Sequence, residues 1–188
     1  MLGRISGAFG AVPKMERPST WFTWHAEVVR PGVRVLDVAC GSGRHAVAAA
    51  ALGAQVTAVD ADPARLKAGR RYAEHKGLSV EWVQADLERY PVPEREYDVV
   101  LVFNYLSRGR MADFRRALRP GGYLIAETFL DAQRGHGWGP TSDEHLLRSG
   151  ELPQLVHPLE VLLEREVLEL IEGRPMALAS VLAQRMGE

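Results

Sequence analysis

The stretch Val35-Leu-Asp-Val-Ala-Cys-Gly-Ser-Gly-Arg-His45 decides how the chain is read. An apolar run with the length of a buried strand ends in Gly41-x-Gly43 and passes directly into an Ala-rich segment. Glycines there let the backbone turn tightly and approach a ligand, and the first N–H groups of the following helix point at it unpaired. Asp37 sits inside the strand end. The next apolar run, Val56-Thr-Ala-Val-Asp60, closes on a second carboxylate, and Val80-Glu-Trp-Val-Gln-Ala-Asp86 closes on a third. Three strand ends closed by carboxylates describe a binding edge for a ligand rich in hydroxyl and amino groups.

Outward from this edge, strands and helices alternate. Strands are expected over 33–38, 55–59, 80–84, 97–103 and 123–128, and helices over 44–52, 63–76 and 111–118. Asp62-Pro63 announces the second of these helices, with an N-cap followed by Pro at the first helical position. The 97–103 run is apolar throughout, as a strand buried on both faces of a parallel sheet must be. Such alternation implies an α/β fold, a doubly wound, mostly parallel sheet whose ligand sits outside the carboxyl ends of the strands. Residues 1–18 read as a loose leader, and a short helix follows before Pro31-Gly32 breaks it. Segment 131–150, with Gly135, Gly137 and Gly139 around His136 and Trp138, is the one long irregular stretch and is expected to be a mobile lid. Leu159-Glu-Val-Leu-Leu-Glu-Arg-Glu166 fits a helix or a strand; a strand is favoured because Gly173-Arg-Pro175 reads as a hairpin turn.

The chain has 188 residues, which suits one domain spanning 1–188, and a formal net charge of −1, with no field to gather nucleic acid. Its single cysteine, Cys40, cannot form an internal disulfide, so a reducing cytoplasm is the expected location. No apolar run reaches the roughly 18 residues of a membrane span, and the first ten residues lack a signal-peptide core. The six histidines show no metal-ligand spacing, so no metal is expected; His136 and His145 read as solvated loop residues. Cys40 reads as an apolar filler in preference to a nucleophile paired with His45, and Trp21 and Trp24 as packing for the leader helix in preference to a pocket cover. Scarce Asn and Lys beside abundant Arg and Ala fit a hot habitat and a GC-rich genome equally.

The ordered set of glycine turn and three carboxylates, with Leu118-Arg-Pro-Gly-Gly-Tyr-Leu124 further on, resembles the class I S-adenosylmethionine-dependent methyltransferases from about residue 33 to 129. Asn104-Tyr-Leu-Ser-Arg108, Glu127-Thr-Phe129 and Leu146-Leu-Arg-Ser-Gly-Glu-Leu152 resemble the small bacterial enzymes related to the tellurite-resistance methyltransferases. The resemblance implies seven strands with the last antiparallel, S-adenosylmethionine as cofactor and a small-molecule methyl acceptor; it leaves the oligomeric state open. Asp60 would accept both ribose hydroxyls. Asp86 would take the adenine amino group, with Ala61 and Leu87 against the ring. Asp37 would face the tail ammonium, Ala39, Gly41 and the Phe103 carbonyl would hold the same tail, and Gly43 is a further cofactor-binding candidate. The common form of the motif has Gly where Ala39 stands, from which a slightly tighter fit is expected.

Methyl transfer is an in-line displacement from a good leaving group, so positioning and desolvation can supply much of the barrier reduction. If the acceptor must lose a proton, Tyr105, Arg108, Thr128 and Phe129 are the catalytic candidates by location, with Arg108 either clamping an anionic substrate or pairing with Asp113. The end of the fourth strand reads Phe103-Asn-Tyr-Leu106, without the Asn-Pro-Pro-Tyr that would suit nucleic-acid base methylation. Two other readings compete. Gly41-Ser-Gly43-Arg-His-Ala46 fits a relaxed dinucleotide fingerprint, hence an NAD-dependent oxidoreductase, although Asp37 would repel a pyrophosphate. A cofactor-binding regulatory module without catalysis is the other.

Overall fold

The computed structural model describes residues 15–187; most of the expected loose leader, and with it the reading of the first ten residues, lies outside them. A short helix α1 (Thr20–Trp24), capped by the Ser19 side chain, opens the described chain. Then come β1 (Arg34–Val38), α2 (Arg44–Ala51), β2 (Gln55–Asp60), α3 (Pro63–His75), β3 (Glu81–Gln84), β4 (Tyr97–Phe103) and α4 (Met111–Ala117). The chain closes with β5 (Leu118–Phe129), α5 (Glu151–Val156), β6 (Glu160–Ile171) and β7 (Arg174–Gln184). The seven strands form one sheet in the order β3-β2-β1-β4-β5-β7-β6, parallel throughout except for β7, which runs antiparallel to both its neighbours.

Alternation along each strand splits the core into two layers. Leu36, Val100, Val102 and Leu124 meet Phe114 of α4 and Leu152 and Val156 of α5 on one face. Val35, Val56, Leu101 and Ile125 meet Phe22 of α1, Ala46 and Ala49 of α2 and Leu66 of α3 on the other. The chain leaves β1 toward β2 on one side and returns as β4 on the other, so a crevice opens between the carboxyl ends of β1 and β4. Ligands bind at such a reversal of strand order.

Two elements differ from the sequence expectation. Strand β5 begins at Leu118 and not at 123, because the Arg119-Pro-Gly-Gly122 turn is drawn into the sheet: Leu118 pairs with Tyr97 across a register break, and Gly121 N–H donates to the Arg185 carbonyl. The closing segment is a strand pair, as favoured, but its turn is Glu172-Gly173, one residue early. Both have positive φ (51° and 78°), as a two-residue hairpin turn with the right-handed strand twist requires. Arg174 and Pro175 already belong to β7.

Segment 131–150 is folded, with 3₁₀ turns at Asp131–His136 and Asp143–His145. Leu147 pairs with Leu130 beyond the end of β5. The fully buried Gln133 receives the Ala177 N–H (2.8 Å) and donates to the Trp138 and Pro175 carbonyls. Trp138 itself packs edge-on against Phe129, 6.0 Å between centroids, and so does not stand over open space.

The glycine turn also couples helices. A Cβ at Gly43 would overlap Cζ3 of Trp82 at 2.6 Å, and one at Gly69 in α3 would overlap its Cη2 at 2.5 Å and the Ser42 carbonyl as well. Both glycines therefore form the walls of a slot for one indole. Gly69→Ala is expected to lower stability by about 1–3 kcal/mol through overpacking, read from the urea midpoint, with partial recovery when Trp82→Leu is added.

Candidate functional site

At the crevice, the turn after β1 is held by hydrogen bonds from Cys40, Gly41 and Gly43. Cys40 N–H donates to the Val59 carbonyl (3.0 Å) and Gly43 N–H to the Cys40 carbonyl (2.8 Å). Gly41 N–H donates to Asp60 Oδ2 (2.7 Å), while Asp60 Oδ1 accepts from Asp62 N–H (2.9 Å). The Asp60 carboxylate thus ties the end of β2 to the turn of β1 and to the start of α3. Each oxygen keeps lone pairs for a further donor. Asp62 caps α3, its Oδ1 accepting from Ala64 N–H at 2.8 Å and Arg65 N–H at 3.2 Å. Asp62 is the helix cap that the sequence reading expected.

Ala39 and Gly41 have φ of 52° and 59°. Left-handed backbone is open to glycine but costs a side-chain-bearing residue about 1–2 kcal/mol, so Ala39 is a strained residue where a slightly tighter fit was expected. Asn104, at the end of β4, is also left-handed (φ 53°), a conformation that asparagine tolerates better than alanine.

These residues surround a cleft of about 310 Å³ whose walls include Asp37, Ala39, Gly41, His45, Phe103 and Asn104. Asp37 is buried and accepts from Ala46 N–H at 2.9 Å. Burial pushes its pKa up to about 7, opposed by that hydrogen bond and by the nearby Arg44. His45 is buried and stacks on Phe103 at 3.9 Å between ring centroids. Its Nε2 accepts the Ser19 N–H at 3.1 Å, which pins the leader to α2. Burial holds its pKa well below the usual histidine value, so it stays neutral. Burial likewise raises the pKa of the Cys40 thiol. A neutral, already bonded imidazole and an un-ionised thiol do not make a nucleophilic pair, and Cys40 is the filler expected.

Other expected contacts lie elsewhere. Gly43 faces Trp82 and not the cleft. Leu87 is buried in the core, whereas Ala61 is exposed. Asp86 is exposed and caps a turn through Glu88 N–H (3.0 Å). Of the four catalytic candidates, none lines the cleft. Tyr105 donates to Glu88 at 3.0 Å, and burial with that bond lifts its pKa to about 12. Thr128 and Phe129 are buried. Arg108 does not pair with Asp113, which is taken by Arg110 (2.8 Å) and Arg116. It forks onto Glu151 instead (2.5 and 2.9 Å) and donates to the carbonyls of Asp143 and Leu146. That fork holds the Glu151 carboxyl below the usual range. The charged cleft residues missed from sequence are Glu16, Arg44 and Arg65; Ser42 and Asn104 line it as well. Arg44 carried a signal: a cation on the first turn of a helix opposes the helix dipole and calls for a reason.

Residues 35–122 match the family model described as a methyltransferase domain. The ubiquinone biosynthesis O-methyltransferase of Methylocella silvestris is 33% identical over 131 residues, 67% of this chain and 50% of that protein. These likenesses support a class I S-adenosylmethionine-dependent methyltransferase. The ribosomal protein L11 methyltransferase of Symbiobacterium thermophilum is also 33% identical, over 70% of this chain and 43% of its own length. The chain thus spans about half the length of these curated relatives. Among solved structures, TehB from Haemophilus influenzae shares the fold with a TM-score of 0.73 and 20% identity, covering 87% of this chain and 60% of that one. The [4+2]-cyclase SpnF does so with a TM-score of 0.74 and 18% identity, covering 88% and 80%. S-adenosylmethionine is the cofactor of this family, and the glycine turn with Asp37 and Asp60 is chemically suited to it. Among the described residues no helix is long and apolar enough to cross a membrane.

Two substitutions separate the carboxylates. Asp62→Ala is expected to cost about 1 kcal/mol, the usual loss of a helix cap. Asp60→Ala strands the Gly41 and Asp62 N–H groups and is expected to cost more, about 1–3 kcal/mol for each group that finds no water. Equilibrium urea unfolding of both variants checks the order.

Proposed function

We propose that the protein transfers the methyl group of S-adenosylmethionine to a small-molecule acceptor. The observation that carries this reading is the juxtaposition of Asp37 and Asp60 on either side of the glycine turn. Asp60 then accepts the ribose hydroxyls with the lone pairs left by its two backbone donors, and Asp37 faces the ammonium of the amino-acid tail. Asp86 and Ala61, both exposed next to the end of β3 and β2, remain for the adenine. The same carboxylates would repel a dinucleotide's pyrophosphate, which speaks against the NAD reading. No proton acceptor is needed at the cleft if the acceptor arrives as a good nucleophile, in keeping with the four candidates being turned elsewhere.

The acceptor is read as small because the chain's net charge of −1 offers no attraction to nucleic acid, and because the relatives include quinone-pathway enzymes. Segment 131–150 is read as cover for the acceptor side, fixed in place by Gln133 and Arg108. A second reading is cofactor binding without methyl transfer, since no residue lining the cleft marks a catalytic step and the fold is shared with the [4+2]-cyclase SpnF. Release of S-adenosylhomocysteine in the presence of small phenol, thiol and amine acceptors distinguishes the two; its absence across acceptors would favour the second.

Two measurements probe the proposal. Calorimetry should show S-adenosylhomocysteine binding, with NAD not binding at concentrations that saturate the first ligand. Because Asp37 must be ionised to meet an ammonium and carries a pKa of about 7 when the cleft is empty, affinity should rise with pH. The rise should approach tenfold per unit well below 7 and level off above it. A flat profile from pH 5.5 to 8, or preference for NAD, would sink the reading. Arg108→Ala should leave S-adenosylhomocysteine affinity within a few fold while reducing turnover, as the cover loses its anchor.

A further inference from the structure

We propose that Arg44 binds the carboxylate of the cofactor's amino-acid tail, and that Glu16 is the in-chain carboxylate that Arg44 gives up to do so. The inference rests on the reading that the cleft receives S-adenosylmethionine. That ligand's tail is a zwitterion, with ammonium and carboxylate on one carbon, so its site needs an anion and a cation side by side. Asp37 and Arg44 are such a pair: both line the cleft, and the Arg44 charge is felt at the Asp37 carboxyl.

Arg44 stands on the first position of α2, where the helix dipole already presents positive charge; no acidic residue within that turn offsets it, and Asp37 reaches the turn only from β1, through the Ala46 N–H. Its partners come from the leader instead. Nη1 lies 3.7 Å from Glu16 Oε2 and 3.4 Å from the Arg17 carbonyl. The Arg44 side chain is 21% exposed and that of Glu16 76%. A separation of 3.7 Å is longer than a hydrogen bond, and an ion pair open to water contributes little. A ligand carboxylate can replace it with the paired, charge-assisted bonds that a guanidinium forms best. Glu16 thus occupies the anion position of the empty cleft, and the leader is displaced as the cofactor enters. Ser19, held by His45 Nε2, limits that displacement to the residues before it.

Arg65 is the competing cation, its Nη1 lying 3.8 Å from where a Gly41 Cβ would be. It is mostly exposed and already faces Asp62 at 3.5 Å, on the side of the turn where Asp60 waits for the ribose.

Calorimetry on the full chain with two ligands tests the proposal: S-adenosylhomocysteine and its decarboxylated analogue, which differ only in the carboxylate. Arg44→Gln should weaken S-adenosylhomocysteine by about ten- to a hundredfold, the range of a bond between charged groups. The analogue should change by less than about threefold, which also shows that the variant is folded. Arg65→Gln should affect both ligands alike. Glu16→Gln should tighten S-adenosylhomocysteine by about two- to fivefold in the wild-type background and leave it unchanged when Arg44 is already Gln. Equal losses for the two ligands in Arg44→Gln would overturn the role of Arg44, and no gain in Glu16→Gln would overturn that of Glu16. A wild-type protein that binds neither ligand would instead overturn the cofactor reading and this inference with it.

Discussion

The carboxylate of Asp60 is where strand, turn and helix meet. One oxygen holds the Gly41 N–H and the other the Asp62 N–H, so a single side chain closes the gap between two adjacent parallel strands at their carboxyl ends. Without it, the Gly41 and Asp62 N–H groups, whose bonds to it are partly buried, would need other partners, and the strained Ala39 would lose the hydrogen-bonded frame that keeps it in the left-handed region. The site is rigid before any ligand arrives because the same atoms that would meet the ligand also hold the backbone.

A second polar tie works at the other end of the sheet. Glu127, buried at the end of β5, accepts from Ser180 on β7 at 2.7 Å and from Arg165 on β6 at 3.2 Å. Arg165 lies over the rings of both Trp21 and Trp24, about 5 Å from each centroid. Trp21 donates its indole N–H to the Val181 carbonyl. The leader helix is therefore fastened to the two closing strands by a cation between indoles, and to α2 by the Ser19–His45 bond. Trp21 is a packing element of the apolar core, with one polar tie through its indole N–H, while Trp24 stays largely exposed beside Arg165.

Much of this was legible in the chain. Elements marked by apolar runs and caps, such as β4 and the Asp62-Pro63 start of α3, emerged within a residue of expectation, since local chemistry alone determines them. The site was legible where a residue's role is local: Asp37, Gly41 and Asp60 stand at strand ends and converge by topology. It was not legible where a side chain's partner is remote. Arg108 finds Glu151, 43 positions away, and Gln133 finds Ala177, 44 away; nothing in either neighbourhood announces the pairing. Leu87 and Thr128 point into the core because strand and turn geometry rotates them there, which residue type does not reveal. Segment 131–150 looked irregular because its order comes from buried polar anchors and not from periodicity.

The slot made by Gly43, Gly69 and Trp82 bears on how glycine motifs are interpreted. The second glycine of Gly41-x-Gly43 is kept small by an indole from another strand, a demand that persists whether or not anything occupies the cleft. A descendant that abandoned its ligand would lose one of the reasons for Asp37 while still being held to Gly43. Gly43 therefore testifies to architecture, whereas the carboxylates Asp37 and Asp60 answer to backbone and ligand together.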